Sequence, residues 1–220
     1  MQITKRLYFT LVVALLLLVV PVSSILAAEQ SVTLTQKQWF DKGKEFQRQN
    51  DYSNAILAFG KAIQLDPYYI YAYWERAFTY NAKGEYGNAI ADYSKAIELD
   101  SRNPILYRNR GISYNSQGQY TLAIEDYNRA VDLNPKYFEA YYNRGIVYQN
   151  LRQYEQAIAD FDMIIAINPE YAYAYYRKAN TLADIGRRKE AIENFERFLQ
   201  YAKPGDAWIE QARKRIKELE

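Results

Sequence analysis

The side chains that could carry out chemistry in this sequence are carboxylates, amines, guanidinium groups and hydroxyls, because its 220 residues include no histidine and no cysteine. This composition excludes imidazole and thiol nucleophiles, a Ser-His-Asp triad, a thiolate zinc site and a disulfide framework. A glycosidase would need two positioned carboxylates in a closed pocket, and Glu75 and Glu139 are candidates, but nothing in the sequence indicates that pocket. We predict no catalytic residue, no cofactor and no metal site.

The charge balance argues against a nucleic-acid partner. The formal net charge is +2, and Lys5 and Arg6 account for both excess positive charges. The rest of the chain is therefore neutral, whereas a nucleic-acid-binding surface requires an excess of basic side chains.

Residues 1–28 have the pattern of an export signal. Two basic residues precede the apolar run Leu7–Val20, a proline follows the run, and small residues precede the first acidic residue. We predict cleavage after Ala27 or Ala28. The same uncharged stretch is long enough to cross a bilayer, so an uncleaved anchor is the alternative and would be the only membrane contact. Both interpretations place the rest of the chain outside the cytoplasm, either periplasmic or secreted.

After a short linker, residues 29–35, the sequence repeats with a period of 34 residues from Gln36 to Gly205. Within each unit, position 4 is aromatic, position 8 is Gly or Ala, position 20 is Ala and position 24 is aromatic. The five units are 36–69, 70–103, 104–137, 138–171 and 172–205. Such columns of rings opposite small residues are typical of helices that pack closely.

Each unit is predicted to form two amphipathic helices, since positions 4, 8 and 11 and positions 17, 20, 24 and 27 recur at intervals of three or four. At position 15 a left-handed residue can end the first helix, and Asn50, Gly84, Gly118 and Gly186 fit this role while Arg152 departs from it. A two-helix unit cannot bury its own apolar stripe, so the units must stack, and residues 206–220 are predicted to form a polar capping helix.

These columns resemble the tetratricopeptide repeat over residues 36–205. The matching residues of the first unit are Trp39, Gly43, Phe46, Tyr52, Ala55, Phe59, Ala62 and Pro67, and the pattern recurs in all five units. The resemblance implies an all-α fold, a right-handed superhelical α-solenoid whose first helices line a concave groove and whose second helices form the convex back. It also implies a non-enzymatic protein that binds peptides and protein segments.

The groove should be rich in rings and amides. If positions 4, 8 and 11 of each first helix face its partner helix, positions 2, 5, 6, 9, 12 and 13 face the groove. Rings there would accept apolar side chains, and amides would satisfy the backbone of an extended peptide. Alternatively, the rings pack across adjacent first helices and the amides are only solvated. The predicted partner-binding residues are Phe40, Trp74, Phe78, Arg108, Asn109, Tyr142, Asn143, Tyr176, Arg177 and Asn180.

Arg108, Asn143 and Arg177 fall where some members of the family hold a two-carboxylate chain end. The match is incomplete, because Ile112 replaces an expected Asn and Tyr173 an expected Lys. We therefore favour a looser role, in which the two arginines hold an acidic residue or chain end of the partner.

A second charge pattern is predicted to be structural. Arg occupies position 7 only in units that carry Asp at position 23: the pairs are Arg76 with Asp92, Arg110 with Asp126 and Arg144 with Asp160. This coupling predicts a repeated ion pair between helices. Calcium binding by the aspartates is the alternative.

The leading hypothesis is an adaptor outside the cytoplasm that holds an extended segment of another protein and helps to assemble an envelope or membrane complex. The alternative is a carbohydrate-binding accessory factor for cell-wall or exported polysaccharide. The tyrosines, Trp74 and the asparagines also suit the faces and hydroxyls of sugars.

Overall fold

The computed structural model describes residues 34–220, and within this range the chain is all-helical, with no strand. The helices are α1 (Gln36–Arg48), α2 (Tyr52–Leu65), α3 (Ile70–Ala82), α4 (Tyr86–Leu99), α5 (Pro104–Ser116), α6 (Tyr120–Leu133), α7 (Phe138–Asn150), α8 (Tyr154–Ile167), α9 (Ala172–Asp184), α10 (Arg188–Tyr201) and α11 (Trp208–Leu219). Consecutive helices pack in pairs, and the pairs stack in chain order. The predicted all-α solenoid is confirmed.

The predictions for residues 1–28 lie outside the described residues, as does most of the linker. None of the helices within residues 34–220 is long and apolar enough to span a bilayer.

The ends of the helices follow local chemistry. Thr35 begins α1 with a capping box, in which its hydroxyl accepts from the Gln38 amide and the Gln38 side chain accepts from the Thr35 amide at 2.8 Å. Gly84 closes α3 at φ 77°, and Arg152 closes α7 at φ 57°. The expectation that Arg152 departs from the left-handed pattern is therefore wrong, because the amide of the next residue, Gln153, bonds the Tyr148 carbonyl, as that of Glu85 bonds Tyr80. The packing of the two helices of a unit therefore imposes the left-handed turn at position 15 on arginine as well as on glycine.

Rings fill the space above small residues at the core of each pair. A Cβ added to Gly111 would lie 2.7 Å from the Tyr127 ring, and one added to Gly145 would lie 2.9 Å from the Phe161 ring. Both rings are almost fully buried. The small residues at position 8 are thus required by the close approach of the two helices in a pair.

The predicted ion pairs between helices are confirmed, and each joins the two helices of one unit. In every pair the guanidinium donates to both carboxylate oxygens, at 2.7 Å for Arg76–Asp92, 2.8 Å for Arg110–Asp126 and 2.6 and 2.9 Å for Arg144–Asp160. The aspartate side chains are only 9%, 7% and 5% exposed. We call these three pairs the inter-helix seam.

Candidate ligand-binding surface

The first helices of successive units, α1, α3, α5, α7 and α9, lie side by side and form one surface, which we call the first-helix face. Hydrogen bonds between position 12 of one helix and position 10 of the next join three of its four interfaces. Gln47 donates to Thr79 at 2.7 Å, Ser113 to Asn81 at 2.9 Å and Gln149 to Thr181 at 2.6 Å. These side chains hold the helices in register.

The fourth interface, between α5 and α7, lacks this bond. Position 12 is Asn115, but position 10 of the next helix is Val147, which is fully buried and offers no hydroxyl. The Asn115 side chain makes no hydrogen bond to any residue in 34–220. The half-buried side-chain amide of Asn115, at the middle of the first-helix face, therefore has no hydrogen-bond partner within residues 34–220.

Two buried polar atoms at the same interface also have no hydrogen-bond partner within residues 34–220. Arg108 on α5 donates one terminal amino group to Asn109 at 3.2 Å, but its Nε is buried and bonds nothing within the described chain. The Nδ2 of Asn143 on α7 is buried and unbonded in the same way. Both atoms are donors, and a buried donor without an acceptor costs about 1–3 kcal/mol. The described chain thus leaves two buried donors on adjacent first helices without acceptors of their own.

Arg108 is set among phenol rings at this interface. Burial raises the pKa of Tyr137, and the nearby Arg108 opposes that rise. Burial likewise raises the pKa of Tyr127, again opposed by Arg108. The rings therefore stay neutral at physiological pH, and the Arg108 charge is not cancelled by them.

The C-terminal end of the first-helix face contains a cavity of about 200 Å³, which we call the aromatic pocket. It is lined by Tyr142, Tyr171, Tyr173, Tyr176, Arg177 and Trp208. The ring centroids of Tyr176 and Trp208 are 4.9 Å apart, and those of Tyr142 and Tyr171 are 6.2 Å apart. These separations are typical of favourable aromatic pairs, so the rings stabilise one another as a wall.

Among the residues of 34–220 that line the aromatic pocket, Arg177 is the one with a charged side chain. Its Nε donates to the Tyr142 hydroxyl at 3.2 Å, and its guanidinium carbon lies 5.9 Å from the centre of the Tyr142 ring. Its terminal amino groups make no hydrogen bond or ion pair with any residue in 34–220. The guanidinium is thus oriented by a neutral ring and keeps its capacity to bind an anion.

The N-terminal end of the face is an open surface of rings. Tyr71 stacks on Trp74 at 6.5 Å with 19° between the ring planes, and Tyr71 is 61% exposed. Phe78, one turn further along α3, is 56% exposed. Phe40 instead packs on Phe59 at 5.6 Å. Apolar surface in this region is therefore available to a partner without a pocket being formed.

The structure brings together some predicted residues and not others. Tyr142, Tyr176 and Arg177 meet in the aromatic pocket, and Arg108 and Asn143 lie on adjacent helices. Asn180 donates to the Tyr176 carbonyl at 2.9 Å, so its amide nitrogen is occupied within its own helix. The role of these residues in partner binding stays a prediction.

The two carboxylates considered for glycoside hydrolysis are not neighbours. Glu75 lies on α3 and Glu139 on α7, with α5 between them. Glu75 also accepts from Lys44 at 2.6 Å and from Gln47 at 3.2 Å. Its carboxylate is thus engaged in holding α1 against α3.

The sequence pattern placed Tyr173, at position 2 of the fifth unit, on the groove side but did not assign Tyr171 or Trp208 to the site. A signal for Tyr171 exists, because position 34 is also Tyr in the first and third units, at Tyr69 and Tyr137. Tyr69 contacts Phe40 at 5.2 Å just as Tyr171 contacts Phe138 at 5.1 Å. The last residue of a unit therefore joins the first-helix face, although it lies outside both helices.

The sequence matches family models of this repeat along most of the described chain. The model described as TPR repeat matches residues 79–115 and 111–151. Two models described as Tetratricopeptide repeat match residues 138–171 and residues 38–69 and 172–203. The chain belongs to the tetratricopeptide repeat family.

Solved tetratricopeptide repeat structures share this fold. A MamA protein is 27% identical with a TM-score of 0.70, over 76% of this chain and 91% of that one. YrrB, described as a TPR protein with an unusual peptide-binding site, is 24% identical with a TM-score of 0.65, over 80% and 91%. PilF of Pseudomonas aeruginosa is 20% identical with a TM-score of 0.67, over 84% and 88%. No curated protein matches the sequence significantly.

Proposed function

We propose that this tetratricopeptide repeat protein is a non-enzymatic adaptor that holds an extended segment of another protein in a concave groove formed by its first helices. The observation that carries the proposal is the pair of buried donors without acceptors, Arg108 Nε and Asn143 Nδ2, on adjacent first helices. An extended polypeptide presents backbone carbonyls at regular intervals and can supply both acceptors. The unpaired amide of Asn115 at the same interface can bond the same backbone.

The comparison with solved structures supports this proposal by analogy only. YrrB is described as having a peptide-binding site, and this chain shares its fold. Because one fold hosts many functions, the residues at the α5–α7 interface support the proposed function more directly than that likeness does.

A library of random peptides displayed on phage and selected on purified residues 29–220 tests the proposal. We expect enriched peptides whose binding weakens at least tenfold in Asn143→Ala and in Arg108→Ala. Leu122→Ala is the matched control, because Leu122 is a partly exposed side chain on a second helix, α6. Failure to enrich any peptide, or equal losses in the control, would contradict the proposal.

We further propose that the adaptor works outside the cytoplasm and helps to assemble an envelope or membrane complex. The support is the sequence of residues 1–28, with its basic start, apolar run and small residues. Fractionation of cells that produce the full chain, followed by N-terminal sequencing, tests this. A mature chain that begins near Glu29 indicates cleavage, an intact chain in the membrane fraction indicates the anchor, and an intact chain in the cytosol contradicts both.

Polysaccharide binding is a second candidate, favoured by one observation. Tyr71 and Trp74 stack nearly parallel, and Tyr71 is largely exposed, as in a platform for the apolar face of a sugar ring. A glycan array separates the two candidates. Binding to a glycan that Trp74→Ala abolishes and Asn143→Ala leaves intact would favour polysaccharide over peptide.

A further inference from the structure

We propose that the aromatic pocket binds one aromatic side chain of the partner segment, and that Arg177 binds the carboxylate of an acidic residue next to it in sequence. This inference rests on the proposed peptide-binding function and names the chemistry of the segment. It also adds a site that uses Tyr171 and Trp208, which the sequence pattern did not assign to binding, together with Tyr173, which that pattern placed only on the groove side.

The size of the pocket indicates a single side chain. Its volume of about 200 Å³ is smaller than the roughly 300–1,000 Å³ of sites for whole small molecules. Five of its six lining residues are aromatic. A ring entering such a space can meet the surrounding rings edge to face or offset, the arrangements that aromatic pairs prefer.

The positive charge of Arg177 favours an acidic residue next to the aromatic residue of the partner segment. Rings without a positive charge form sites for cations, but Arg177 lies on this wall and would repel a cation. Its terminal amino groups are unbonded within residues 34–220, and the Tyr142 hydroxyl holds its Nε at 3.2 Å. A guanidinium oriented in this way binds a carboxylate with two parallel hydrogen bonds.

The C-terminal helix completes the pocket through Asp206. One oxygen of this carboxylate accepts from the Tyr173 hydroxyl at 2.6 Å, and the other accepts from the Trp208 amide at 2.9 Å. Asp206 therefore ties the first turn of α11 to α9 and fixes where Trp208 lies against Tyr176. Asp206 is thus a positioning residue. The pocket depends on α11, the capping helix that also covers the last repeat unit.

Tryptophan fluorescence can report on this site alone. The chain has three tryptophans, Trp39, Trp74 and Trp208, so Trp39→Phe with Trp74→Phe leaves Trp208 as the single reporter. The probe is a six-residue peptide with blocked ends and an internal Asp-Phe pair. Matched peptides carry Asn-Phe, Asp-Ala or Lys-Phe, and a fourth ends in a free Phe carboxylate without the Asp.

We expect the Asp-Phe peptide to change Trp208 emission with saturation and the three internal replacements to bind at least tenfold more weakly. Arg177→Gln should abolish the preference for Asp over Asn, while the control Arg197→Gln, on the exposed face of α10, should keep it. Asp206→Ala should shift the emission maximum of the free protein to longer wavelength. Circular dichroism and thermal unfolding confirm that each variant is folded.

Three outcomes would overturn the inference: no Trp208 response to the Asp-Phe peptide, equal affinity for the Asp and Asn peptides, or tight binding only of the peptide with a free chain end. Library peptides that depend on Arg108 and Asn143 but neither alter Trp208 emission nor respond to Arg177→Gln would retain the proposed function and overturn the pocket. Loss of all peptide binding in the library would instead contradict the function itself.

Discussion

The inter-helix seam and the first-helix face both contain arginines, but they use them in opposite ways. In the seam, Arg76, Arg110 and Arg144 each meet an aspartate that is nearly buried. On the first-helix face, neither Arg108 nor Arg177 forms an ion pair within residues 34–220, and their guanidinium groups donate to the neutral side chains of Asn109 and Tyr142. A guanidinium neutralised within the fold contributes to stability, whereas one that is held without a counter-charge is suited to a partner. Substitutions in the two regions should therefore differ in their effects on stability and on binding.

Arg144→Ala should lower the free energy of unfolding by about 3–5 kcal/mol, because it leaves the Asp160 carboxylate buried without its partner. Urea denaturation followed by circular dichroism measures the change. The control is Lys178→Ala, whose partner Asp162 is 49% exposed and whose loss should cost at most about 1 kcal/mol. Equal costs for the two variants would show that burial does not distinguish the seam.

Arg177→Ala should leave the free energy of unfolding within about 1 kcal/mol of the original, because no ion pair within the described chain is lost. Affinity for a selected peptide should fall tenfold or more, which corresponds to about 1.4 kcal/mol. Isothermal titration calorimetry measures the affinity, and urea denaturation the stability. If Arg177→Ala costs as much stability as Arg144→Ala, the two sets of arginines do not differ as proposed.

Arg152 belongs to neither region and provides a reference. It is exposed and holds φ 57° at the turn where the second, third and fifth units have glycine. Arg152→Gly should raise the free energy of unfolding by about 1 kcal/mol, because the left-handed conformation is strained for a residue with a Cβ. Thermal unfolding checks the sign, and a lower melting temperature would mean that the Arg152 side chain contributes a contact of its own.

Val147→Thr should supply the hydroxyl that the α5–α7 interface lacks and bond Asn115, as Thr181 bonds Gln149. We expect the free energy of unfolding to rise by about 0.5 kcal/mol, the lower end for a net hydrogen bond. Peptide affinity should fall slightly, since Asn115 is then occupied. Tighter peptide binding in this variant would indicate that Asn115 does not contact the partner.

Most of the fold could be predicted from the sequence because it follows from local periodicity. The Gly and Ala columns, the ring columns and the Arg–Asp coupling each repeat at fixed spacing, so one unit predicts the next. The rings above Gly111 and Gly145 and the three seam pairs lie where the spacing placed them. The columns of rings and small residues that recur in the sequence therefore recur as contacts in successive helix pairs.

The candidate site was harder to predict because it depends on what does not repeat. The α5–α7 interface lacks the hydrogen bond of the other three interfaces because of a single residue, Val147, and no periodic pattern shows that Asn115 thereby loses this bond. Trp208 reaches the aromatic pocket from outside the repeats, through the contact of Asp206 with Tyr173. Asn180 turned out to bond its own helix, a choice that residue type and spacing alone do not decide.

The seam has a consequence for how the solenoid opens. Its bidentate pairs occur only in the three central units, since the first unit has Lys42 and Ala58 at these positions and the fifth has Lys178 and Asn194. Local unfolding should therefore start at the two ends and spread inward, with hydrogen exchange fastest in α1, α2, α10 and α11. The aromatic pocket lies at the C-terminal end of the solenoid. A ligand in the pocket would therefore hold α11 against α9 and should slow amide hydrogen exchange in α11 first.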